Sequence, residues 1–325
     1  MKNRKAFSLI EVVFVLVILG IVASIVSQII VQVYENYILQ RAIYNVSTKT
    51  ELVANQIVNR LTYRIQGTTI SKDHKAFLDY KNLGTAIADT DWLAIEDLPI
   101  AGTKYTTIEW IGYDNDSFSS HTNPNWSGVA NYETASINKF TTPASTLENV
   151  ATIINNLSNG KVDLTSNKPA SVLFMQNDNY YTGSSEYSPL CMGLIPELAT
   201  SSTDCIFPVW ADSNTSLTFT RSQDPNSATI RPKIITERYK LAWSAYAIAP
   251  EADGKGLFNL VLYSNYQPWN GESYIDNNIT KHTLMKNVSV FKFSENGGVI
   301  HFKLCATELL GDTNISTCKE KAIIR

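Results

Sequence analysis

The chain has 325 residues and a formal net charge of −3. Because this balance provides no global basic field, it argues against a general nucleic-acid binder. Hydrophobic residues make up 44% of the chain and charged residues 18%, which is enough apolar material for a sizeable core. Only four histidines and four cysteines occur, and their spacing argues against a multi-histidine metal centre or a cysteine-rich zinc fold.

The amino terminus combines a short basic leader with a long apolar run. Three positive charges occur in the first six residues, and residues 12–34 carry no charge. As a helix, this run would extend about 34 Å, which is enough to cross the hydrocarbon core of a bilayer. Because no comparable basic cluster directly follows the run, the positive-inside bias places the first residues in the cytoplasm and everything after Glu35 outside.

Glu11 is an ionisable residue at the edge of this apolar run. An unpaired charge at full membrane depth costs roughly 2.5–3.5 kcal/mol, so Glu11 needs either a partner or an interfacial position. An ordinary anchor or signal peptide would place it at the interface. However, this segment closely resembles the prepilin signature of type IV pilins and type II secretion pseudopilins. The resemblance consists of the basic leader, the small residue Ala6, the sequence Phe-Ser-Leu-Ile-Glu at residues 7–11 and the apolar run.

This resemblance implies that prepilin peptidase cuts between Ala6 and Phe7 and that the new amine of Phe7 is methylated. It also implies that the Glu11 carboxylate pairs with the cationic amine of a neighbouring subunit, so that pairing in lipid selects for assembly. The implied partners are other pilins or pseudopilins, the inner-membrane assembly platform and membrane lipid, with the carboxyl-terminal domain in the periplasm. The sequence departs from the family at Ala6, where glycine is usual, and at Gln28, where many major subunits have proline.

A secretory signal peptide cut after Ala23 is the alternative interpretation of the same segment. Residues 21–23 would provide the small-residue cleavage site, and residues 12–20 would provide the apolar region. Against this alternative, the sequence beyond Ala23 remains apolar, and the next glycine or proline is Gly67.

From Leu39 onward, the pattern changes from uniformly apolar to amphipathic. Apolar residues recur at steps of three, four or seven, as on one face of a helix. They are Leu39, Ile43, Val46, Val53, Ile57, Leu61 and Ile65. The sequence therefore predicts one helix over residues 7–66, about 90 Å long, with residues 7–34 in the membrane or filament core. An anchor followed by a coiled-coil linker would show the same stripe.

Residues 67–325 are predicted to form an extracytoplasmic domain rich in strands. Strands are predicted at residues 171–175, 217–220, 239–249, 257–263, 288–293 and 299–304. The last two flank Glu-Asn-Gly-Gly at residues 295–298, a sequence typical of a hairpin turn. A short helix is predicted at residues 148–157, and the rest of residues 71–169 is typical of insertions around short strands.

A long amino-terminal helix followed by antiparallel strands is similar to the α+β roll of the pilin family, in which the helix packs on the sheet. The large globular part resembles the large minor subunits of the J or W type, which implies a role in starting a secretion pseudopilus or a type IV pilus at its tip. No catalytic motif occurs, so no enzymatic activity is expected. The alternatives are an adhesin or DNA-binding minor pilin, and an unrelated anchored or secreted periplasmic domain.

The four cysteines indicate an oxidising compartment. Cys191 and Cys205 enclose 13 residues, and Cys305 and Cys318 enclose 12. This local pairing has the lowest loop-closure cost of the three possible connectivities. Each disulfide would contribute on the order of 3 kcal/mol to stability.

Two further patterns concern a ligand and a modification. Asp114 and Asp116 lie in a cluster of oxygen-bearing side chains, which indicates either a calcium site or a plain Asp/Asn turn. No cofactor other than calcium is expected. Asn214, Asn278 and Asn314 each follow an acidic residue by two positions and precede Ser or Thr by two. This pattern is similar to the acceptor site of bacterial N-glycosylation.

Overall fold

A long helix and two antiparallel sheets make up the fold, so the predicted α+β class is confirmed. The computed structural model describes residues 8–98, 104–119, 123–136, 138–175, 189–219, 235–254, 256–310 and 313–324. The helices are α1 (Leu9–Thr62), α2 (His74–Leu83), α3 (Asn115–Phe118) and α4 (Leu147–Leu157).

Helix α1 ends earlier than the predicted boundary at residue 66. It is continuous through Gln28, where many pilins have proline, and its last residue is Thr62. Beyond the helix, the backbone N–H of Ile65 donates to the carbonyl of Ile111 at 2.9 Å. Because this bond ties the chain to a neighbouring strand, residues 63–66 leave the helix although Ile65 continues its apolar spacing.

The larger sheet has eight strands, each antiparallel to its neighbours. In spatial order they are β14 (Thr313–Ile324), β13 (Val299–Leu310), β12 (Thr280–Asn296), β11 (Phe258–Tyr266), β10 (Ser244–Ala252), β3 (Thr107–Gly112), β1 (Ile70–Lys72) and β2 (Trp92–Ala94). Strands β10 to β14 are neighbours in both sequence and space, and so are β1 and β2, so simple reversals of the chain build most of the sheet.

The central strands of this sheet are buried on both faces. In β10, Ala245, Ala247 and Ala249 belong to the core on one face, whereas Ile248 belongs to the core under α1. This alternation follows from the two-residue repeat of a strand. Helix α1 covers one face, and α2 together with residues 189–206 covers the other. Both faces therefore need apolar side chains, which explains the nearly continuous apolar sequence of β10.

The second sheet has six strands and its own core. In spatial order they are β4 (Asn131–Ser136), β5 (Lys139–Thr141), β8 (Ser216–Phe219), β7 (Phe207–Ser213), β6 (Ala170–Phe174) and β9 (Tyr239–Ala242). Helix α4 packs on this sheet through Leu147, Val150 and Ile154. The chain leaves the larger sheet after β3 and re-enters it at β10, which pairs with β3. The second sheet is therefore inserted between two paired strands of the first.

The predicted hairpin and the predicted short helix are both present. Gly297 and Gly298 connect β12 to β13 with φ angles of +60° and +80°, and Asn296 pairs with Val299 across the turn. Two successive positive φ angles match the right-handed twist of the flanking strands. Helix α4 covers the helix predicted at residues 148–157 and starts one residue earlier.

The strand predicted at residues 239–249 is wrong as a single element. It consists of β9, which pairs with β6 in the second sheet, and β10, which pairs with β3 and β11 in the first. Between them, the carbonyl of Trp243 accepts a hydrogen bond from the Gln267 side chain at 3.1 Å. The apolar pattern continues through Trp243, so the sequence does not indicate where the pairing partner changes.

Residues 71–169 contain more regular structure than predicted. They supply β2, β3 and part of β1 to the larger sheet, and β4 and β5 to the smaller one. Strand β14 was also not predicted, because most of its residues are polar and its apolar residues are few. It is an edge strand, and an edge strand can keep one side in solvent.

Candidate assembly interface

The first part of α1 projects an apolar surface away from the rest of the fold. Every residue from 9 to 41 is exposed, and we call this segment the exposed half. Its side chains include Leu9 at 83%, Phe14 at 67% and Leu19 at 57% exposure. In the described part of the chain, α1 is the one helix long and apolar enough to cross a membrane. A helix that is apolar on all sides requires lipid or partner helices around it.

Glu11 lies in the first turn of the exposed half. Its Oε2 atom accepts a hydrogen bond from the backbone N–H of Ser8 at 3.2 Å, as in a capping box. The carboxylate therefore lies at the positive end of the helix dipole, where a negative charge is favoured. Ala6 and Phe7, the predicted cleavage and methylation residues, lie outside the described residues.

The rest of α1, residues 42–62, packs on the larger sheet, and we call it the packed half. Its buried residues recur every three or four positions and are Ala42, Val46, Thr50, Val53, Ala54, Ile57 and Leu61. They pack mainly against β14, β13 and β12. The predicted stripe is wrong at its beginning, because Leu39 and Ile43 are 38% and 43% exposed. At those positions the helix has not yet reached the sheet.

Charged groups at the rim of the packed half fix it on the edge strand. Glu51 forms ion pairs with Lys321 and, at 3.4 Å, with Lys319 of β14. The hydrogen bond from Lys321 lowers the pKa of the Glu51 carboxyl below its ordinary value. These groups are partly exposed to solvent, so we attribute orientation of the helix to them and its stability to the apolar residues beneath.

Both disulfides join cysteines that are near in sequence. The structure pairs Cys191 with Cys205 and Cys305 with Cys318. Cys305 and Cys318 lie directly opposite each other in β13 and β14. This disulfide therefore ties the edge strand under α1 to the sheet. Cys191 and Cys205 close the segment that covers the other face of the larger sheet.

The predicted calcium residues do not face the same surroundings. Asp114 is buried and caps the short helix α3, where its Oδ1 accepts the backbone N–H of Ser117 at 3.1 Å. Its Oδ2 accepts the Ser117 hydroxyl. Burial raises the pKa of Asp114 to about 7, whereas Asp116 is exposed. No group of three or more His, Cys, Asp or Glu able to hold a metal ion occurs among the described residues.

A buried ion pair between β1 and β3, near one edge of the larger sheet, was not predicted from the sequence. Lys72 Nζ lies 2.6 Å from Glu109 Oε2 and donates to the carbonyl of Leu194 at 2.7 Å. The Tyr266 hydroxyl donates to Glu109 Oε1 at 2.7 Å. Burial raises the pKa of Glu109, so the neighbouring ammonium and hydroxyl are needed to hold the charge. The sequence signal was a single glutamate between apolar residues in β3.

A groove between α2 and β10 contains three lysines, the residue type that a nucleic-acid surface needs. It has a volume of 740 Å³ and is lined in part by Lys75, Lys104 and Lys281. Lys104 forms an ion pair with Asp91 at 2.7 Å, and Lys281 forms one with Glu251 at 3.5 Å. Since acidic groups neutralise two of these lysines, the groove is not a basic channel for a phosphate backbone.

The three asparagines of the predicted glycosylation pattern are all exposed. Asn214 lies in the turn between β7 and β8, Asn278 precedes β12, and Asn314 is the second residue of β14. Asp312, the acidic residue that precedes Asn314, lies outside the described residues.

Comparison with known protein families gives a match at the amino terminus. The family described as "Prokaryotic N-terminal methylation motif" matches residues 1–27. No curated protein and no solved structure matches the chain. The match includes the basic leader, Glu11 and the first turns of the exposed half. The chain thus carries a prepilin-type amino-terminal motif, which supports membership of the pilin and pseudopilin family and processing by prepilin peptidase.

Proposed function

We propose that this protein is a minor pilin or pseudopilin that works by assembly. In this proposal residues 1–6 are a leader cut off before Phe7, residues 7–34 cross the membrane and later enter a filament core, and residues 67–325 lie in the periplasm. The observation that supports it is the exposed half of α1. It is an uncovered apolar helix that begins with a methylation motif and continues into a folded domain.

Glu11 would determine the register between neighbouring helices. In the described part of the chain, its carboxylate accepts a backbone N–H at the helix start. In lipid, the methylated amine of a neighbouring Phe7 offers a full positive charge and a stronger, charge-assisted hydrogen bond. Only subunits that place amine and carboxylate together would avoid burying an unpaired charge, so pairing selects one stagger of the helices.

The globular part supports a minor subunit of the large J or W type at the filament tip. The second sheet is a complete inserted unit with its own core, and it enlarges the domain without interrupting the sheet under α1. Such an insertion gives the subunit additional surface for partners. A DNA-binding role receives no support from the lysine-bearing groove beside α2, because Lys104 and Lys281 are paired with carboxylates there.

The mass of the mature amino-terminal peptide, taken from membranes of the native host, tests the family assignment. We expect a peptide that starts at Phe7 and carries one added methyl group. A start at Ser24 would show a signal peptide cut after Ala23. An intact Met1 would show an unprocessed anchor, and either result would remove the basis for filament assembly.

Substitution of Glu11 tests the pairing. We expect Glu11→Gln, which keeps the shape and removes the charge, to be processed normally but to enter filaments at least tenfold less than the parent chain. The control is Glu35→Gln, an exposed carboxylate beyond the apolar run on the same helix. The readout is the ratio of filament-bound to membrane-bound chain. Normal incorporation of the Glu11 variant would contradict the pairing argument.

A further inference from the structure

We propose that Asn214, Asn278 and Asn314 are acceptor sites for N-linked glycans and that Asn278 is the most accessible of the three. The sequence Asn-x-Ser/Thr occurs eight times in the chain, and in these three copies aspartate stands two positions before the asparagine. With 30 acidic residues in 325, chance would place an acidic residue there in fewer than one of eight copies. We call the three copies the acidic sequons, at residues 212–216, 276–280 and 312–316.

The fold separates the acidic sequons from the other five copies. All three asparagines are exposed, and each lies in a turn, before a strand or at the start of one. The other five asparagines lie within helices α1 and α4, in α3, in a buried loop or within β12; they are Asn45, Asn156, Asn115, Asn125 and Asn287. A transferase must reach the asparagine and bind the residues on both sides of it. Helical or buried copies do not permit this in the folded chain.

Hydrogen bonds distinguish Asn278 from Asn214. The Asn214 side-chain oxygen accepts the backbone N–H of Glu148 at 2.9 Å, and its carbonyl accepts that of Leu147 at 3.0 Å. Both bonds fix Asn214 against the first turn of α4. The side chain of Asn278 has no hydrogen-bond partner in the described part of the chain, its carbonyl accepts one bond from the Lys161 side chain at 3.5 Å, and its segment lies outside the helices and strands. Asn278 can therefore adopt the conformation that a transferase requires at the lowest cost.

Asn314 lies in an edge strand. It pairs with Leu309 of β13 on one side, and among the described residues β14 has no neighbouring strand on the other. Its side chain is exposed, but its backbone is held by the sheet. A bulky hydrophilic glycan here would also cover one end of the open edge, where unpaired backbone groups can recruit strands from other chains.

The reaction needs one co-reactant, an oligosaccharide linked to a lipid pyrophosphate. The asparagine Nδ2 attacks the anomeric carbon of the first sugar and forms a C–N bond. The bond from that carbon to the pyrophosphate oxygen breaks, and the lipid pyrophosphate leaves with the electron pair. The amide loses one proton to a base of the transferase, and no oxidant or reductant takes part. The inference rests on the proposed function in one respect, because the domain must lie outside the cytoplasm.

Peptide mass spectrometry of the full chain from native-host membranes tests the inference. We expect hexose- or N-acetylhexosamine-containing additions on peptides with Asn214, Asn278 and Asn314, with the highest occupancy at Asn278. The sharpest variant is Asp276→Asn. It keeps a side-chain acceptor for the Ser273 N–H, which Asp276 now binds at 2.8 Å, and it removes the charge. We expect occupancy of Asn278 to fall at least fivefold in this variant and to persist in Asp276→Glu.

The matched control is Asn156→Gln. Asn156 is exposed and belongs to an Asn-x-Ser copy, but it lies in α4 and lacks the preceding acid. We expect no loss of glycan mass from this variant. Unmodified peptides at all three acidic sequons would overturn the inference. Equal occupancy of Asn278 in the Asp276→Asn variant would overturn the role of the acidic residue.

The same digest separates failure of this inference from failure of the proposed function. A methylated peptide starting at Phe7, together with three unmodified sequons, would leave the filament proposal intact and end the glycan proposal. Glycopeptides together with a chain starting at Ser24 would support the glycan proposal and end the filament proposal. They would show a glycosylated domain outside the cytoplasm that does not enter a filament.

Discussion

The two halves of α1 belong to one continuous helix but have different surroundings. In the exposed half no side chain is buried, and its residues from 12 to 34 carry no charge and are mostly apolar on every face. In the packed half, apolar residues follow one stripe that contacts the larger sheet. The difference shows that hydrophobicity alone does not identify a core. The packed half stabilises this chain, whereas the exposed half provides apolar surface for a membrane or for neighbouring subunits.

The largest expected effect is a loss of stability from a cavity in the packed half. Ile57 is 1% exposed, and we expect Ile57→Ala to lower the free energy of unfolding by about 3–4 kcal/mol. The control is Ile25→Ala in the exposed half, where the side chain is 51% exposed and no change is expected. Denaturant unfolding of the full chain in detergent, followed by tryptophan fluorescence, reports both values. Equal losses would show that the two halves do not differ as described.

Removal of the disulfide under the packed half should lower the free energy of unfolding somewhat less than Ile57→Ala does. We expect Cys305→Ala with Cys318→Ala to lower stability by about 3 kcal/mol, because the crosslink limits the unfolded chain. Hydrogen exchange should then become faster in β14 and in the packed half. Replacing Cys191 and Cys205 should cost a similar amount without faster exchange in α1. Unchanged exchange in the first variant would show that the disulfide does not support the helix.

The pH dependence of stability should reveal the buried cap of α3, which lies near the end of the packed half. Tyr113 donates to the carbonyl of Tyr63, just after α1, and the next residue is the buried Asp114. Burial raises the pKa of Asp114 from 3.8 to about 7. The folded state therefore holds a proton that the unfolded state releases between these values, and stability falls as pH rises through this window.

Asp114→Asn tests this dependence, because asparagine is also a good helix cap and does not ionise. We expect the variant to be about 2 kcal/mol more stable than the parent chain at pH 8, with the gain shrinking toward pH 4. Denaturant unfolding at several pH values measures the gain. A gain that is constant across this pH range would mean that Asp114 does not titrate as described.

The smallest effect is expected at the rim of the packed half. The pKa of Glu51 is lowered mainly by its hydrogen bond from Lys321, so its contribution is present above its ordinary value of 4.5 and is lost as pH falls below it. We expect Glu51→Gln to shift the unfolding midpoint slightly at pH 7 in low salt. The shift should shrink as pH falls below 4.5 and when salt is added. Glu35→Gln, in the exposed half, should cause no shift under any of these conditions.

Local sequence patterns were sufficient to predict the elements whose contacts are with residues close in sequence. The two glycines at residues 297–298 require positive φ angles, so the hairpin between β12 and β13 follows from a few adjacent residues. The cysteine pairing could be predicted for a similar reason, because short loops are the least costly to close. The motif at residues 1–27 is also local, since it depends on the spacing of a charge cluster, an aromatic residue and Glu11.

The missed features depend on contacts between distant parts of the chain. At Trp243 the chain passes from the second sheet to the first, and the apolar pattern does not show this, because both strands are buried whichever sheet they join. Lys72 and Glu109 lie far apart in sequence and become an ion pair only when β1 and β3 align. The end of α1 is similar, since the pairing of Ile65 with Ile111 competes with helical bonding and prevails.

The sequence by itself determined the apolar helix, the prepilin-type motif, the α+β class and the local turns. The reason is that these depend on periodicity and on residues within a few positions of one another. Only the tertiary structure decided where α1 becomes buried, that a second sheet is inserted between β3 and β10, and which asparagines remain accessible. Burial is a property of the assembled surfaces, and the same apolar residue can face a sheet, a membrane or a neighbouring subunit.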